Sequence, residues 1–378
     1  MGGDLPKGER KRPTALWLVW AAIATAASGS AAAQEPDGYL FSDSHFHLTN
    51  YVQEGTDIRT YLEIMGDKVE RSTLFGIPLQ QTWAYANSGD YAPTYYLQSD
   101  APLYYYSFTD AFIAQQYLSL PPEQRARLDP MITGFNPSDM YAADHIKRVL
   151  KTFPGVFTGI GEFSIHKEFV SSKVAGETAS LTNPALDRLL EFAGETGLVV
   201  ILHNDINIPF GPLDQEPLYL RQAKDVLRRH PNATIIWAHT GLGRVVRPTQ
   251  ASGSAYHVVE RSEAHTDLLA DMLADPSLSH VYFDISWDEV AKYAVDNPDS
   301  IRRTAELFNR FPDRFLFGTD NVAPRDQAAQ LRVYHLWDPV FAELTPETSH
   351  AIRIGNYRRI FDGGRTRVRA WEAANVVR

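Results

Sequence analysis

The chain of 378 residues contains no cysteine. Disulfide bonds and thiolate metal ligands are therefore excluded, although the absence is compatible with an oxidising compartment. Basic residues are outnumbered: 36 lysines and arginines stand against 46 aspartates and glutamates, for a formal net charge of −10. An acidic protein of this kind is a poor candidate for nonspecific nucleic-acid binding, so we predict no nucleic-acid partner.

The sequence also lacks an apolar run as long as the ~20 residues that span a bilayer. Residues 16–27 form a shorter run, preceded by Lys7, Arg10, Lys11 and Arg12 and followed by three alanines at 31–33. This pattern is typical of a cleavable secretory signal over residues 1–33. We expect a periplasmic or secreted protein, residues 34–378, with one domain and no stable membrane anchor. Loss of four basic and two acidic residues would move the charge from −10 to −12.

Apolar, strand-like runs recur along the chain, and several end in a histidine or an aspartate. Such runs, separated by helix-like segments, predict a parallel sheet buried on both faces. In a (β/α)8 TIM barrel the carboxyl ends of all strands meet on one face, where active sites lie. We predict this α/β fold, with five metal-competent side chains converging at its mouth: His45, His47, His203, His239 and Asp320.

The pair His45 and His47 has a spacing that suits a shared ligand. Side chains alternate along a strand, so residues two apart point the same way, with stems about 7 Å apart. Imidazole and carboxylate groups are common ligands of zinc and similar divalent metals. One such pair is a weak signal, but two further histidines and an aspartate at later strand ends favour a metal site.

With these residues in place, the chain resembles the amidohydrolase superfamily, in its amidohydrolase-related (amidohydrolase 2) group. The resemblance covers roughly residues 40–361 and implies an enzyme with a barrel fold. It rests on His45-Phe-His47, Glu162 within Gly159-Ile-Gly-Glu-Phe163, His203, Trp237-Ala-His239-Thr-Gly-Leu-Gly243, Gly318-Thr-Asp320 and Gly355-Asn-Tyr-Arg-Arg-Ile-Phe361.

The resemblance implies metal-assisted hydrolysis, in which a divalent metal lowers the pKa of water toward about 7. His45, His47 and Asp320 would hold the first metal, and His203 would be a further ligand. His239 would hold a second metal or polarise the substrate carbonyl. Asp320 would carry the proton of the water to the leaving group. Zinc is expected, with manganese, iron or nickel as alternatives.

Glu162 bears on whether the site holds one ion or two. In related enzymes with two metals, a carboxylate at the end of the fourth strand bridges the ions, which lie about 3.5–4 Å apart. The other interpretation is a carboxylate that orients a ligand histidine. We favour the bridge.

Two residues are candidate substrate contacts. Arg244 could clamp a carboxylate or phosphate with its planar guanidinium, or could be an exposed loop charge. Trp287 follows the seventh predicted strand and could form a wall of the substrate site. Between the second and third strands, residues 80–127 are rich in tyrosine, which predicts an aromatic insertion that mostly packs on the barrel.

The eight predicted strands are placed with one ambiguity. The third strand could cover residues 103–108 or residues 131–135. The other strands are predicted at residues 40–47, 72–79, 156–163, 198–203, 233–239, 280–286 and 314–319.

The leading hypothesis for function is an exported hydrolase that cleaves an amide, ester or lactone bond of a small molecule. The alternatives are a nonoxidative decarboxylase of an aromatic or unsaturated acid, a TatD-like phosphoesterase, and a non-catalytic periplasmic binding protein. The sequence gives no indication of the oligomeric state.

Overall fold

The computed structural model describes residues 38–49, 55–77, 106–167, 170–171, 173–174, 177–178, 180–206, 216–243 and 265–376. The predicted signal, most of the tyrosine-rich stretch and Arg244 lie outside these residues. Within the described ranges, no helix has both the length and the apolar character needed to cross a bilayer.

Eight parallel strands form one sheet, and their order in the sheet is their order in the chain. Each strand is followed by helical structure, which gives an α/β fold of the TIM-barrel type. The strands are β1 Phe41–Asp43, β2 Val69–Leu74, β3 Leu128–Ile132, β4 Gly159–Ser164, β5 Val199–His203, β6 Thr234–Trp237, β7 Val281–Asp284 and β8 Phe315–Leu316.

The helices alternate with the strands and continue beyond the last one. The α-helices are α1 Ile58–Met65, α2 Tyr106–Leu118, α3 Pro122–Arg125, α4 Ala142–Thr152, α5 Pro184–Thr196, α6 Leu218–Arg229, α7 His265–Ala274, α8 Asp288–Ala294, α9 Pro298–Arg310, α10 Gln327–Leu336, α11 Asp338–Phe341, α12 Pro346–His350 and α13 Asn356–Asn375. Shorter turns are the 3-10 helices Ala238–Gly241 and Pro276–Leu278 and the π-helical turn Ala351–Gly355.

The continuations of β1 and β8 are joined to each other by hydrogen bonds. The amide of Ser44 donates to the carbonyl of Phe317 at 3.1 Å, and the amide of Asp320 donates to the carbonyl of His45 at 2.7 Å. Beyond these bonds, Phe46–His47 pairs in parallel with Asn321–Val322. The first and last strand ends are thereby held side by side.

The strands are buried on both faces, as their apolar sequences predict. In β5, Val200 and Leu202 belong to the large cluster that includes the surrounding helices, whereas Val199 and Ile201 belong to a second cluster. This second cluster also contains Tyr357, Ile360 and Phe361 of α13. Alternating side chains of one strand therefore face two different layers.

Helix α13 is tied to the amino-terminal side of the sheet by polar contacts as well. Asp129 of β3 is fully buried and accepts hydrogen bonds from Arg71, Arg365 and Tyr357. Asn356 donates to the carbonyl of Phe315 at 2.8 Å. Helix α13 therefore covers the amino-terminal side of the sheet. The candidate site lies on the opposite side, at the carboxyl ends of the strands.

The third strand is Leu128–Ile132, which overlaps the second of the two predicted alternatives. The first alternative, residues 103–108, is wrong at its described end, because α2 starts at Tyr106. This strand is difficult to predict from the sequence because Asp129 and Pro130 belong to residue types that are depleted in strands. Pro130 has no amide proton to donate, but its carbonyl still accepts from the amide of Thr158 at 2.9 Å.

Candidate metal centre

Six of the eight side chains proposed from the sequence converge at the carboxyl ends of the strands. Three overlapping groups each have ligand atoms within 4.8 Å of one another: His45, His47, Glu162 and Asp320; Glu162, His203 and His239; and His45, His239 and Asp284. These groups can hold a divalent metal, because imidazole and carboxylate are its usual protein ligands.

Glu162 lies between two pairs of histidines and directs one oxygen toward each pair. Its Oε2 is 3.6 Å from Nε2 of His45 and 3.5 Å from Nε2 of His47. Its Oε1 is 2.6 Å from Nδ1 of His203 and 3.6 Å from Nε2 of His239. A carboxylate placed in this way has one oxygen available to each of two ligand sets.

Asp320 completes the first set. Its Oδ1 is 3.0 Å from Nε2 of His47 and 3.4 Å from Nε2 of His45. The backbone of Asp320 is fixed by its neighbour Thr319, whose amide and hydroxyl both donate to the buried carboxylate of Asp43. Asp43 also accepts from the amide of His45, so one carboxylate positions the backbone on both sides of the first set.

Asp284 orients two of the histidines from behind. Its Oδ2 accepts a hydrogen bond from Nδ1 of His45 at 2.9 Å. Its Oδ1 accepts from the hydroxyl of Ser286, and that hydroxyl oxygen in turn accepts from Nδ1 of His239 at 2.8 Å. With both Nδ1 atoms protonated, the lone pairs of both Nε2 atoms point to the centre of the site.

The Nε2 atoms of His45 and His239 are buried and have no hydrogen-bond partner among the described residues. A buried nitrogen lone pair without a partner costs free energy unless a donor or a metal ion occupies it. The tautomers set by Asp284 and Ser286, the carboxylates of Glu162 and Asp320, and these two nitrogens therefore fit a divalent cation.

His203 differs from His239 in that both of its ring nitrogens are hydrogen-bonded to carboxylates. Its Nδ1 lies 2.6 Å from Oε1 of Glu162, and its Nε2 lies 3.2 Å from Oδ1 of Asp205. Because both carboxylates accept, both ring nitrogens carry a proton, and burial of His203 is outweighed by these bonds so that its pKa is raised. His203 can bind a metal only after one of these protons is lost. The pKa of His45 is also raised well above its usual value, because Asp284 and Glu162 outweigh its burial, so His45 too must lose a proton before its Nε2 can bind a metal.

The two carboxylates and His239, in contrast, are charged as cation binding requires. Burial favours neutral Glu162, but the nearby Lys167 ammonium and the bonds from the histidines hold its pKa well below the usual value. The pKa of Asp320 is also lowered, because His47 and the charges of the other histidines outweigh its burial. For His239, burial lowers the pKa and keeps the ring neutral.

Several site residues have backbones in the left-handed region, which disfavours residues other than glycine. The φ angles are 56° at His239, 56° at Asp320 and 76° at Trp287. Such conformations cost roughly 1–3 kcal/mol each and persist where the surrounding structure imposes them. Here they turn the chain at the strand ends so that the side chains enter the site.

Glycines precede two of the ligands because nothing larger fits. At Gly161, φ is +110° and an added Cβ would lie 2.1 Å from the carbonyl oxygen of Ile201. At Gly318, an added Cβ would lie 2.8 Å from Cβ of His45. The spacing of Gly and ligand in these motifs therefore has a steric cause.

Trp287 lies beside the site, with its ring centroid 5.2 Å from that of His239. The sequence did not identify Asp284, Ser286, Asp205 and Asp43 as orienting groups. Asp284 carried a usable signal, because it ends the apolar strand β7 in the same way that His203 ends β5. Its role could not be inferred, since its partner His45 is 239 positions away.

Comparison with known proteins identifies the family to which this chain belongs. The model of the amidohydrolase family (amidohydrolase 2) matches residues 43–363. The chain therefore belongs to the amidohydrolase 2 family, as the sequence motifs predicted. No curated protein sequence gives a significant match.

The solved structures that match this chain have low sequence identity to it. One is a 2,6-dihydroxybenzoate decarboxylase from Rhizobium, with 14% identity, covering 85% of this chain and 98% of its own, at a TM-score of 0.49. A dihydroorotase from Campylobacter jejuni has 13% identity, coverage of 85% and 83%, and a TM-score of 0.49. An amidohydrolase 2 protein from Bifidobacterium longum subsp. infantis has 14% identity, coverage of 85% and 98%, and a TM-score of 0.46.

Proposed function

We propose that this protein is an exported metal-dependent hydrolase that cleaves an amide, ester or lactone bond of a small molecule at a two-metal site. The observation that carries the proposal is the position of Glu162. Its Oε2 faces His45 and His47, and its Oε1 faces His203 and His239. A carboxylate in this position could bridge two ions at the separation of about 3.5–4 Å that is usual in binuclear hydrolytic sites.

The residues divide into two sets around Glu162. His45, His47 and Asp320 would hold one ion, and His203 and His239 would hold the other. When bound, divalent ions lower the pKa of water and polarise a carbonyl oxygen. Zinc is the expected metal, and manganese, iron or nickel suit the same ligands.

Proton transfer falls to Asp320. Its lowered pKa keeps the carboxylate ionised at neutral pH. In this state the carboxylate can accept a proton from the attacking water and deliver it to the departing nitrogen or oxygen. The ring of His239 is kept neutral by burial, so its Nε2 lone pair would be available to the second ion. Polarisation of the substrate carbonyl by His239 would instead require a proton on Nε2.

Export is proposed from the signal pattern in residues 1–33 and from the absence of cysteine. Expression of the full chain with cell fractionation tests it. We expect the protein in the periplasmic or secreted fraction, with a new amino terminus near residue 34 by mass spectrometry. Uncleaved protein in the cytoplasmic fraction would contradict export.

A nonoxidative decarboxylase with one metal is the second candidate. It is favoured by His203, whose two ring nitrogens are both bonded to carboxylates. The four residues His45, His47, Glu162 and Asp320 could then hold a single metal ion without His203.

Metal content separates the two candidates. We would measure it by elemental analysis for wild type, Glu162→Gln and the control Glu191→Gln, which changes an exposed glutamate of α5. Two-metal hydrolysis predicts about two ions per chain in wild type and in the control, and about one in Glu162→Gln with loss of hydrolysis. One ion in all three proteins would overturn the bridge and favour the decarboxylase.

A further inference from the structure

Gln330 is a completely buried polar residue of α10, the first α-helix after β8. Its Nε2 donates to Oδ2 of Asp43 at 2.8 Å, and its Oε1 accepts from Nδ2 of Asn321 at 3.0 Å. An ionised carboxylate can only accept, so the amide nitrogen of Gln330 must face Asp43. Gln330 thereby joins the last residue of β1 to a residue that follows β8.

These contacts form a closed four-residue network around Asp320. The hydroxyl of Thr319 donates to Oδ2 of Asp43 at 2.7 Å and accepts from the amide of Asn321 at 3.2 Å. Asn321 donates to Gln330, and Gln330 donates to Asp43, which closes the network. The residues immediately before and after Asp320 are therefore both members of the network.

The backbone of Asp320 has a conformation that needs such support. Its φ of 56° lies in the left-handed region. A residue other than glycine adopts this conformation at a cost of roughly 1–3 kcal/mol, and keeps it only where the surrounding structure imposes it. In this conformation Oδ1 of Asp320 lies 3.0 Å from Nε2 of His47. A shift of Thr319 or Asn321 would therefore move the carboxylate relative to the histidines.

Helix α10 presents Gln330 from a fixed position. One turn before it, Nε2 of Gln327 donates to the carbonyl of Ile64 in α1 at 3.1 Å. One turn after it, the ring of Tyr334 stacks on Phe41 of β1 with centroids 5.1 Å apart. A side chain placed on a helix that is held on both sides can position a site precisely.

We propose that Gln330 is a positioning residue for Asp320. It closes the network that holds Thr319 and Asn321, and through their backbone it keeps the carboxylate of Asp320 directed at the first ligand set. This inference rests on the proposed function, in which Asp320 binds a metal ion and transfers the proton of the water. It adds to that site a residue from a helix outside the barrel strands.

Cobalt(II) is a suitable probe, because the visible absorption of the bound ion depends on the number and arrangement of its ligands. We would titrate the metal-free protein with cobalt(II) and record affinity and spectrum for wild type, Gln330→Met, Asp320→Ala and the double variant. Gln330→Met removes both amide contacts with little change in side-chain length. It should weaken binding of the ion that depends on Asp320 about 10–100-fold and shift the spectrum toward that of Asp320→Ala.

The double variant separates positioning from a general structural effect. If Gln330 acts through Asp320, adding Gln330→Met to Asp320→Ala should change neither the affinity nor the spectrum further, because the residue on which it acts is gone. A general loss of stability would instead act in both backgrounds, and the two effects would add.

Gln327→Met is the matched control, since it changes another glutamine of the same helix that lies outside the network. It should leave cobalt affinity and spectrum unchanged. Asn321→Ala opens the network from the other side and should reproduce the effect of Gln330→Met. Thermal melting would show that each variant is folded, and Asn321→Ala takes the place of Gln330→Met in the double variant if the latter does not fold.

Wild-type affinity and spectrum in folded Gln330→Met or Asn321→Ala would overturn the inference, as would additive effects in the double variant. These outcomes leave the proposed function standing. Wild-type cobalt binding by Asp320→Ala, or no cobalt binding by wild type, would contradict the proposed ligand set itself and the inference with it. The two failures are therefore distinguishable.

Discussion

The carboxylate of Asp284 accepts the Nδ1 proton of His45 at 2.9 Å, although the two residues are 239 positions apart. Through Ser286 the same carboxylate also fixes the ring of His239. Both histidines thereby present Nε2 to the centre. The candidate metal centre therefore includes a carboxylate that orients two of its proposed ligands.

Replacement of Asp284 by asparagine should weaken metal binding about 10–100-fold, the usual effect of losing an orienting partner. The asparagine amide can leave His45 with its proton on the wrong nitrogen. Chelator competition with zinc would measure the change. Ser286→Ala is the comparison, because it removes the link between Asp284 and His239 but keeps the bond from His45 to Asp284, and it should have a smaller effect. Equal zinc affinity in wild type and Asp284→Asn would refute the orienting role.

Replacement of Gly318 by alanine should lower metal affinity without changing any ligand. The added Cβ would lie 2.8 Å from Cβ of His45 and 3.0 Å from Oγ of Ser44, so His45 must move. Chelator competition with zinc would measure the change in metal affinity. Gly363→Ala in α13 is the control, since nothing lies within 4 Å of its added Cβ. The control should be neutral or stabilise by roughly 0.5–1 kcal/mol. The steric argument fails if both variants bind zinc like wild type.

Asp129→Asn should destabilise the fold, by up to about 3–5 kcal/mol, because it removes a buried carboxylate charge that pairs with Arg71 and Arg365. Asp129 is fully buried and pairs with Arg71 at 2.7 Å and with Arg365 at 2.6 Å. Urea unfolding would measure the loss. Asp299→Asn, in an exposed ion pair on α9, should change little. Similar unfolding midpoints for both variants would mean that Asp129 does not stabilise the α13 contact.

Asp110→Asn should alter the pH dependence of stability in a defined direction. Burial raises the pKa of Asp110 to about 7, whereas an aspartate in an unfolded chain titrates near 3.9. As pH rises from about 4 to 7, the unfolded chain releases this proton and the folded chain keeps it. The free energy of unfolding of wild type should therefore fall, relative to the variant, by up to about 1.4 kcal/mol per pH unit.

Urea unfolding at several pH values would measure the Asp110 effect. The asparagine oxygen can still accept from the amides of Thr133 and Gly134, which lie 2.8 Å and 3.1 Å from Oδ1 of Asp110. The fold is therefore expected to persist. Parallel stability profiles for wild type and variant between pH 4 and 7 would contradict the prediction.

Much of the fold and of the proposed ligand set could be predicted from local sequence. Apolar runs that end in His203, His239 or Asp320 mark strands and their carboxyl ends, and the short spacing of His45 and His47 is visible directly. The structure corrected a detail here, because His45 lies in a break between β1 and Phe46–His47 rather than within one strand. The third strand was ambiguous because Asp129 and Pro130 interrupt its pattern.

The sequence by itself predicted the parallel-strand architecture and six of the residues that lie together at the candidate site, because both depend on patterns that repeat over a few positions. Only the tertiary structure decided the two-sided position of Glu162, the orienting role of Asp284 and the contacts of Gln330 with Asp43 and Asn321. These relationships join distant parts of the chain. They depend on sheet curvature and left-handed turns at the strand ends, which local residue patterns do not encode.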